Sequence, residues 1–371
     1  MADHVRFQAD GMDSFLGEFA YEQAVPQDHF LRKLQAVVPW ERYTRRLLRW
    51  YQGKGISGRP PYDPAVILKM LLLSYLHNLS ERQIEVAVND SISMKWFLGL
   101  TIDRPAPDHS TLTEFKARLL QNGKLEGLDE LLAQIVEIAL EAGVKFGSIQ
   151  VMDSVHTVAN VNTAKDEHRR RGGQRPRDPS AHWGVKHSKR VKKPDGETET
   201  QKEYFFGYKA HVSMNAETGL ITSIRVTAGN APDGKQMPAL LSRDQALHLP
   251  IDTVAADKAY DDTLNHFLLW SQDLYSAIRL NTYRTEKKDD NKEIWVALKA
   301  TPQYQSGCRV RYTIERKFGE AKENHGLRRS RYLGLLRYAF QAIMTALALN
   351  LKRIVKLLTA TSFKGQATVA A

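Results

Sequence analysis

Three acidic residues that lie far apart in the sequence have surroundings suited to phosphodiester chemistry on metal ions. Asp153 and Asp257 each follow an apolar run, and Glu315 lies in a segment with helical spacing. Two-metal cleavage of a phosphodiester requires several carboxylates at one place, because Mg²⁺ and Mn²⁺ prefer oxygen ligands and the two ions lie about 3.5 to 4 Å apart. The chain has 42 acidic residues, most of them expected to be solvated surface charges, so position rather than residue type singles out these three.

Both aspartates are predicted at strands of one mixed sheet. Residues 148–155 form a strand-like run that carries Asp153, and residues 251–256 form an apolar run that Asp257 follows at once. Neighbouring strands would bring the two side chains together. Alternating residues around a turn predict an antiparallel hairpin over residues 206–228. Two further elements complete the predicted α/β sheet, a helix near 264–274 and a strand near 277–280.

The third acid is predicted on a helix over residues 311–322. At about 100° per residue, Arg311, Glu315 and Lys322 lie within roughly 40° of one line along that helix. Ile314 lies one stripe over and can pack on the sheet. The acidic face is therefore expected to look towards the sheet edge where the two aspartates emerge.

The spacing on this helix resembles the signature of the DDE transposases of bacterial insertion sequences, in the large group that contains insertion sequences 4 and 5. That signature is Tyr, two residues, Arg, three residues, Glu, six residues and Lys, and Arg311, Glu315 and Lys322 match it in register. Cys308 occupies the tyrosine position, where the family's side chain is expected to contact DNA near the cleavage site. Whether excision proceeds through a DNA hairpin therefore stays open. Two other tyrosines are alternatives for that contact, Tyr304 and Tyr312.

Further motifs similar to that family cover most of residues 148–355, and the helical region before them resembles the family's N-terminal DNA-binding domain. The resemblance therefore spans nearly the whole chain. The matching segments are Gly58–Tyr62, Asn78–Gln83, Met152–Ser154, Gly207–His211, Ala228–Asp233, Ala256–Tyr260 and Arg331–Leu335.

The resemblance implies an α/β protein with an RNase H-like mixed sheet as its catalytic core and an all-helical DNA-binding domain at the N-terminus. We place the helical DNA-binding or dimerisation domain at residues 1–145 and the catalytic domain at residues 146–358. A basic insertion at residues 165–203 belongs to the catalytic domain, and residues 359–371 are expected to form a flexible tail.

DNA transposition is the activity that the resemblance implies. Asp153, Asp257 and Glu315 would be the catalytic residues and would hold two Mg²⁺ ions, with Mn²⁺ as a substitute. The protein would bind the ends of its insertion sequence, cleave them as an endonuclease and join the 3′-hydroxyl ends to target DNA. Its partner would be double-stranded DNA, on which a homodimer or larger assembly is expected. Three cations would bind DNA phosphates near the site, Arg311, Lys322 and Lys258.

The charge of the chain also favours a polyanionic partner. Its formal net charge is +11, and clustered Lys and Arg release counterions when they bind phosphates. Residues 165–193 hold eleven Lys or Arg against three acids. We interpret this stretch as a clamp on the DNA backbone, with a solvated loop as the alternative. The arginines that would make these contacts are Arg169, Arg170, Arg171, Arg175 and Arg177.

Polar caps mark helix starts in the N-terminal region. Asp63 before Pro64 predicts one start, Ser80–Gln83 has the spacing of a capping box, and Thr111–Glu114 has that spacing again. The resulting short helices fit either a bundle for dimerisation or a helix-turn-helix that grips DNA. The apolar stretch 66–76 is far shorter than the roughly 20 residues that span a membrane, so it is predicted as a buried helix.

Several other classes of protein are disfavoured. A single cysteine, Cys308, excludes an internal disulfide framework and a cysteine-based zinc site, which fits a reducing compartment. The polar N-terminus lacks the basic and apolar stretches of a signal peptide. We therefore expect a bacterial cytoplasmic protein, without membrane contact, that is associated with the nucleoid when bound to DNA. Neither a P-loop motif nor His-Glu-x-x-His is present in the sequence.

Two alternative functions stay open. A non-catalytic DNA-binding regulator would use the acids only structurally, although the intact register of the catalytic helix argues against it. A tyrosine-type site-specific recombinase, which links itself covalently to DNA without a metal, is suggested by His325 and Arg328 in a His-x-x-Arg match. That match is short, and the next tyrosines, Tyr332 and Tyr338, lie too close in sequence to fold back as nucleophiles.

Overall fold

A computed structural model describes residue 7 and residues 15–48, 60–120, 126–192, 198–281 and 292–367. The polar N-terminal stretch, apart from residue 7, lies outside these residues, as do Gly58 and Arg59 of one matching segment. Two compact units divide the chain, the first comprising Met1–Leu131 with Leu347–Ala371 and the second Leu132–Ala346.

Helices precede the sheet along the chain. Several begin at a residue whose side chain accepts a hydrogen bond from the first turn, which satisfies backbone N–H groups that have no partner inside the helix. The helices are α1 (Phe15–Ala24), α2 (Phe30–Val37), α3 (Trp40–Leu47), α4 (Pro64–Leu76), α5 (Glu81–Asp90), α6 (Ile92–Leu98), α7 (His109–Leu119) and α8 (Glu126–Glu141).

Helix α4 is the buried helix that the apolar stretch predicts. Every residue from Pro64 to Tyr75 is buried, including Lys69. The Lys69 ammonium donates to the carbonyl oxygen of Phe97 at 3.0 Å and lies 5.1 Å from the centre of the Trp40 ring. These contacts offset the free-energy cost of removing the Lys69 ammonium from water.

The predicted helix starts are confirmed at two of three places. The Asp63 carboxylate accepts from the Ala65 N–H at 2.7 Å, and Ser80 and Gln83 form the reciprocal capping box. The capping box predicted from Thr111 is wrong, because α7 begins two residues earlier, at His109. Asp108 caps that helix by accepting from the Thr111 N–H at 2.8 Å. The charged acceptor, placed directly after a proline-rich break, starts the helix before the threonine is reached.

A six-stranded mixed sheet lies in the described part of the second unit. Its strands are β1 (Ile149–Val158), β2 (His182–Lys192), β3 (Thr198–Asn215), β4 (Ile221–Ala228), β5 (Thr253–Ala256) and β6 (Tyr275–Ile278).

Strand β1 is the middle of this sheet. It pairs antiparallel with β3 and parallel with β5, and β5 pairs parallel with β6. Strands β2 and β4 each pair antiparallel with β3. The hairpin predicted over residues 206–228 is confirmed, since Tyr208 pairs with Ala228. The order β4-β3-β1-β5-β6, antiparallel on one side of β1 and parallel on the other, is the RNase H-like arrangement that the resemblance implies.

Helices cover the sheet and complete its core. Helix α10 packs on β3 and β4, α13 packs on β5 and β6, and α14 packs on β1. None of the helices in the described residues is both long enough and apolar enough to cross a membrane. The bounds are α9 (Thr163–Arg171), α10 (Met237–Ala246), α11 (Thr263–Trp270), α12 (Lys292–Ala300), α13 (Pro302–Val310), α14 (Thr313–Asn324) and α15 (Leu335–Ala367).

Three segments differ from their sequence-based description. The basic insertion contains α9 and β2 and so has regular structure. The helix predicted over residues 311–322 begins at Thr313, because Arg311 ends α13 and only Tyr312 separates it from α14. Arg311 and Tyr312 both keep helical dihedral angles, so Arg311 and Glu315 still lie one helical turn apart. Helix α15 continues to Ala367, through most of the predicted tail.

Candidate active site

The two aspartates lie next to each other at the sheet edge. Met152 of β1 pairs with Ala256 of β5 in parallel register, so Asp153 and Asp257 are the next residues along the two strands. The Asp153 side chain is only 20% exposed. The parallel pairing therefore brings two of the predicted site residues together.

Arg311 connects the first acid with the third. Its Nη2 lies 3.1 Å from Glu315 Oε1, one helical turn along, and its Nη1 lies 3.8 Å from Asp153 Oδ2. Ile314, between them in sequence, is fully buried where α14 packs on β1. Asp153 on a strand and Glu315 on a helix thus both lie near the guanidinium of Arg311. Asp257 follows the residue that pairs with Met152, so it lies beside Asp153.

The carboxylate of Asp153 is held in a strongly perturbed environment. Burial raises its pKa to about 7, against the lowering effect of the Ser154 N–H, which donates to Oδ1 at 2.7 Å. The charge of Asp257 raises the same pKa, the charge of Arg311 lowers it, and the charge of Asp233 raises it. Negative charge is therefore crowded at this edge, as expected where carboxylates share a site.

Asp233 is an acidic neighbour that the sequence reasoning did not single out. Lys209 Nζ donates to Asp233 Oδ1 at 2.8 Å and to the carbonyl oxygen of Ala231 at 3.1 Å. The signal was present in the sequence, because Asp233 follows the end of β4 at Ala228 after a short loop. Asp233 is therefore a second carboxylate that follows a strand, and a position after a strand was the reason for predicting Asp257 as a site residue.

The chemistry of these side chains fits a divalent cation. Their carboxylate oxygens are the ligands that Mg²⁺ and Mn²⁺ prefer, and a cation would relieve the repulsion between Asp153 and Asp257. Tyr260, three residues after Asp257, has a buried hydroxyl with no hydrogen-bond partner among the described residues. Over the same residues, no three His, Cys, Asp or Glu side chains already lie close enough together to hold a metal ion.

Lys322 lies within electrostatic reach of two other cations. Burial lowers its pKa, and the charges of Lys186 on β2 and Arg328 after α14 lower it further. The sequence reasoning missed both of these partners, because they come from elements distant in the chain. Lys258 is exposed in a short 3₁₀ turn directly after Asp257. Two of these cations also have acidic partners, since Lys186 pairs with Glu203 at 2.6 Å and Arg328 pairs with Glu323, whose charge raises the pKa of Lys322.

The arginines of the basic insertion do not share one environment. Arg170 donates through Nη2 to the carbonyl oxygens of Asp178 and Ala181, both at 3.1 Å, and its guanidinium lies 5.5 Å from the centre of the Phe206 ring. Arg170 therefore fastens α9 to the loop that precedes β2 and to β3. The other four predicted arginines are exposed, namely Arg169, Arg171, Arg175 and Arg177.

Cys308, at the position of the signature tyrosine, is half-buried on α13. Its thiol lies 3.8 Å from the carbonyl oxygen of Ala277, and burial raises its pKa. Tyr304, one turn before it, is also partly buried, and its hydroxyl accepts from the Leu280 N–H at 3.4 Å. Tyr312 is 48% exposed beside the acids. Of the two alternative tyrosines, Tyr312 is the one open to a ligand.

Tyr338, a tyrosine that a recombinase would need as a nucleophile, is inside the protein. It is fully buried, its hydroxyl lies 2.9 Å from Thr157 Oγ1, and its ring stacks on Tyr208 with centroids 4.7 Å apart. Burial raises its pKa above the ordinary value. These contacts give Tyr338 a structural role.

One solved structure is similar to this chain, titled "Crystal structure of the Mos1 mariner paired end complex with Mn". The sequences are 12% identical, and the alignment covers 80% of this chain and 89% of that chain with a TM-score of 0.20.

Two protein families match the chain. Residues 19–118 match the family described as Transposase domain (DUF772). Residues 149–351, which include all the acids discussed above, match the family described as Transposase DDE domain. The second match alone covers more than half of the chain, and the protein belongs to the family of transposases with a DDE domain.

Proposed function

We propose that this transposase binds the ends of its insertion sequence, cleaves them by phosphodiester hydrolysis with Mg²⁺ ions held by Asp153, Asp257 and Glu315, and joins the 3′-hydroxyl ends to target DNA. The observation that carries the proposal is the pair of contacts of Arg311, at 3.8 Å from Asp153 and 3.1 Å from Glu315. They link acids from two elements at the edge where Asp257 also lies.

The side chains around this edge divide into two roles. Asp153 and Asp257 would hold the cations from the sheet and Glu315 from α14. When bound, the cations would lower the pKa of a nucleophilic water or hydroxyl and offset charge on the phosphate. Arg311, which touches two of these acids, would orient them and present its remaining N–H groups to a DNA phosphate.

Double-stranded DNA is the proposed partner, both at the element ends and at the target, with a homodimer or larger assembly as the active form. The cations Lys322, Lys186 and Arg328, which lie within electrostatic reach of one another, support a contact with the DNA backbone. The exposed arginines of the basic insertion supply a second surface for that backbone.

Replacement of either aspartate tests the proposal. Asp153→Asn and Asp257→Asn each remove a carboxylate charge with little change in shape, so we expect cleavage of element-end DNA in Mg²⁺ to be lost while binding of the same DNA is retained. Strand cleavage is measured on labelled DNA, and binding by gel shift in EDTA. Asp252→Asn is a matched control, because this exposed aspartate precedes β5 at the end opposite Asp257. Normal cleavage by Asp153→Asn or Asp257→Asn would contradict the proposed metal ligands.

A further inference from the structure

The ion pair between Lys209 and Asp233 lies beside the proposed cation site. The two side chains are 14% and 15% exposed, and Lys209 Nζ donates to Asp233 Oδ1 at 2.8 Å. His211, two residues from Lys209 on the same strand, approaches Asp233 Oδ1 to 3.7 Å through Nδ1. Burial lowers the pKa of His211 to about 4, so this imidazole is neutral at physiological pH. Lys209 is therefore the charged partner of Asp233.

A buried amide holds the loop of Asp233 against the loop of Asp257. Asn265, near the start of α11, donates through Nδ2 to the carbonyl oxygens of Gly234 and Tyr260, at 3.1 and 2.9 Å. Gly234 directly follows Asp233, and Tyr260 comes three residues after Asp257. The contact is close, since a Cβ on Gly234 would lie 3.1 Å from the carbonyl oxygen of Ala259. The two acids are thus carried by loops that are fastened together.

An unpartnered hydroxyl lies among the aspartates. Tyr260 is fully buried, and its hydroxyl has no hydrogen-bond partner among the described residues. Burial raises its pKa, and the charges of Asp153, Asp233 and Asp257 raise it further, which puts the phenol within electrostatic reach of all three carboxylates. A buried polar atom normally has a partner, so an unpartnered hydroxyl within electrostatic reach of three acids indicates room for a ligand with positive charge or bound water.

We propose that Asp233 is a fourth acidic residue of the cation site, and that Lys209 is the built-in counter-ion that holds this carboxylate next to Asp153 and Asp257. The inference rests on the proposed function, because it assumes that a divalent cation binds at this edge. Asp233 would strengthen the attraction for the cation. Lys209, a positive charge in the same place, would weaken it.

The two partners of the ion pair therefore have opposite effects on cation affinity, which a purely structural ion pair would not show. Mn²⁺ is titrated into the full chain without DNA, and free Mn²⁺ is followed by electron paramagnetic resonance. Asp233→Asn should raise the Kd for Mn²⁺ by about tenfold or more, as for groups that support a metal ligand. Lys209→Gln should lower the Kd. Thermal unfolding in EDTA verifies that both variants are folded.

Two further variants separate the possible outcomes. Glu81→Gln is the matched control, because Glu81 forms a similarly exposed ion pair with Lys116 among the N-terminal helices and should leave the Kd unchanged. Asp153→Asn should raise the Kd. If it does so while Asp233→Asn binds Mn²⁺ as the wild type does, the inference about Asp233 is overturned and the proposed function stands. If neither variant changes the Kd, the cation site itself is overturned.

Discussion

The ion-pair partner of Glu315 differs from those of Glu320 and Glu323 on the same helix. Its carboxylate shares Arg311 with Asp153, whereas Glu320 pairs with Lys317 at 3.4 Å on another side of the helix. A carboxylate near the sheet edge can bind a cation held there by Asp153.

We therefore expect Glu315→Gln to abolish cleavage of element-end DNA in Mg²⁺. Glu320→Gln and Glu323→Gln should keep most of the activity, because Glu320 pairs with Lys317 and Glu323 with Arg328, and these ion pairs do not include Asp153 or Arg311. Cleavage rates of the three variants on the same labelled DNA provide the measurement. A normal rate for Glu315→Gln, together with a loss in either of the others, would show that the third acid is misassigned.

Asp244 on α10 links the stability of the protein to pH, away from the active site. It is fully buried, and burial raises its pKa to about 6 although the polar side chains of Ser213, Thr222, Ser223 and Gln150 lower it. The folded state therefore holds this proton more tightly than the unfolded state. Its contribution to stability is complete below pH 4 or so and is lost as the pH rises through about 6.

Asp244→Asn should remove that part of the pH dependence. A pKa unit corresponds to about 1.4 kcal/mol, so the free energy of unfolding of the wild type should fall by roughly 3 kcal/mol more than that of the variant between pH 4 and pH 8. Urea unfolding in EDTA at several pH values measures both curves. Parallel curves for wild type and variant would mean that Asp244 is already ionised at low pH.

At the scale of elements, the contact between α13 and the sheet sets the position of Arg311. Gly307 is buried on α13, and a Cβ there would lie 2.4 Å from the Cβ of Ala277 on β6 and 3.3 Å from that of Ala255 on β5. A glycine and two alanines thus allow helix and strands to approach closely. Arg311, which ends α13 four residues later, is placed by that approach.

Gly307→Ala should destabilise the protein although alanine is the better helix former. The gain in helix propensity is at most about 1 kcal/mol, whereas overpacking of a buried contact costs about 1 to 3 kcal/mol. We expect a net loss of about 1 kcal/mol or more in urea unfolding, with slower cleavage as Arg311 moves. Gly319→Ala on α14 is the control, because nothing lies within 4 Å of its added methyl group, and it should be neutral or stabilising. Equal stability of the two variants would contradict the close contact.

At the scale of the whole molecule, the excess of positive charge acts through surfaces rather than single contacts. The formal net charge of +11 includes exposed arginines in the insertion and the cluster around Lys322. Such charges attract any DNA and make the affinity depend on salt, because each phosphate contact releases condensed counterions. Recognition of the element ends requires base contacts in addition.

Neutralising the exposed arginines of the insertion should weaken DNA binding about equally for any sequence. Replacement of Arg169, Arg171, Arg175 and Arg177 by Gln should flatten the plot of log affinity against log salt, with each lost phosphate contact changing the slope by about 0.9. Arg170→Gln should instead lower the melting temperature, since this side chain binds backbone carbonyls. A fourfold variant with the salt slope of the wild type would show that the insertion does not touch DNA.

Local signals in the sequence were sufficient to predict much of this fold. The Asp63 cap, the capping box at Ser80 and the alternation over residues 206–228 all depend on neighbours within a few positions, and each is confirmed. The expectation that neighbouring strands bring Asp153 and Asp257 together is met by the parallel pairing of β1 with β5. Where two local signals competed, at Asp108 and Thr111, the charged acceptor that comes first in the chain began the helix.

Contacts between distant segments were decided only by the tertiary structure. The contacts of Arg311 with Asp153 and Glu315 depend on the packing of α13 and α14 on the sheet. Lys209 neutralises Asp233 across a strand pair, and Arg170 points inward to Phe206. The sequence by itself therefore determined the elements and the acids at their ends, since periodicity and capping are local. The partner of each charge required the fold, because an ion pair forms wherever packing brings two chain segments into contact.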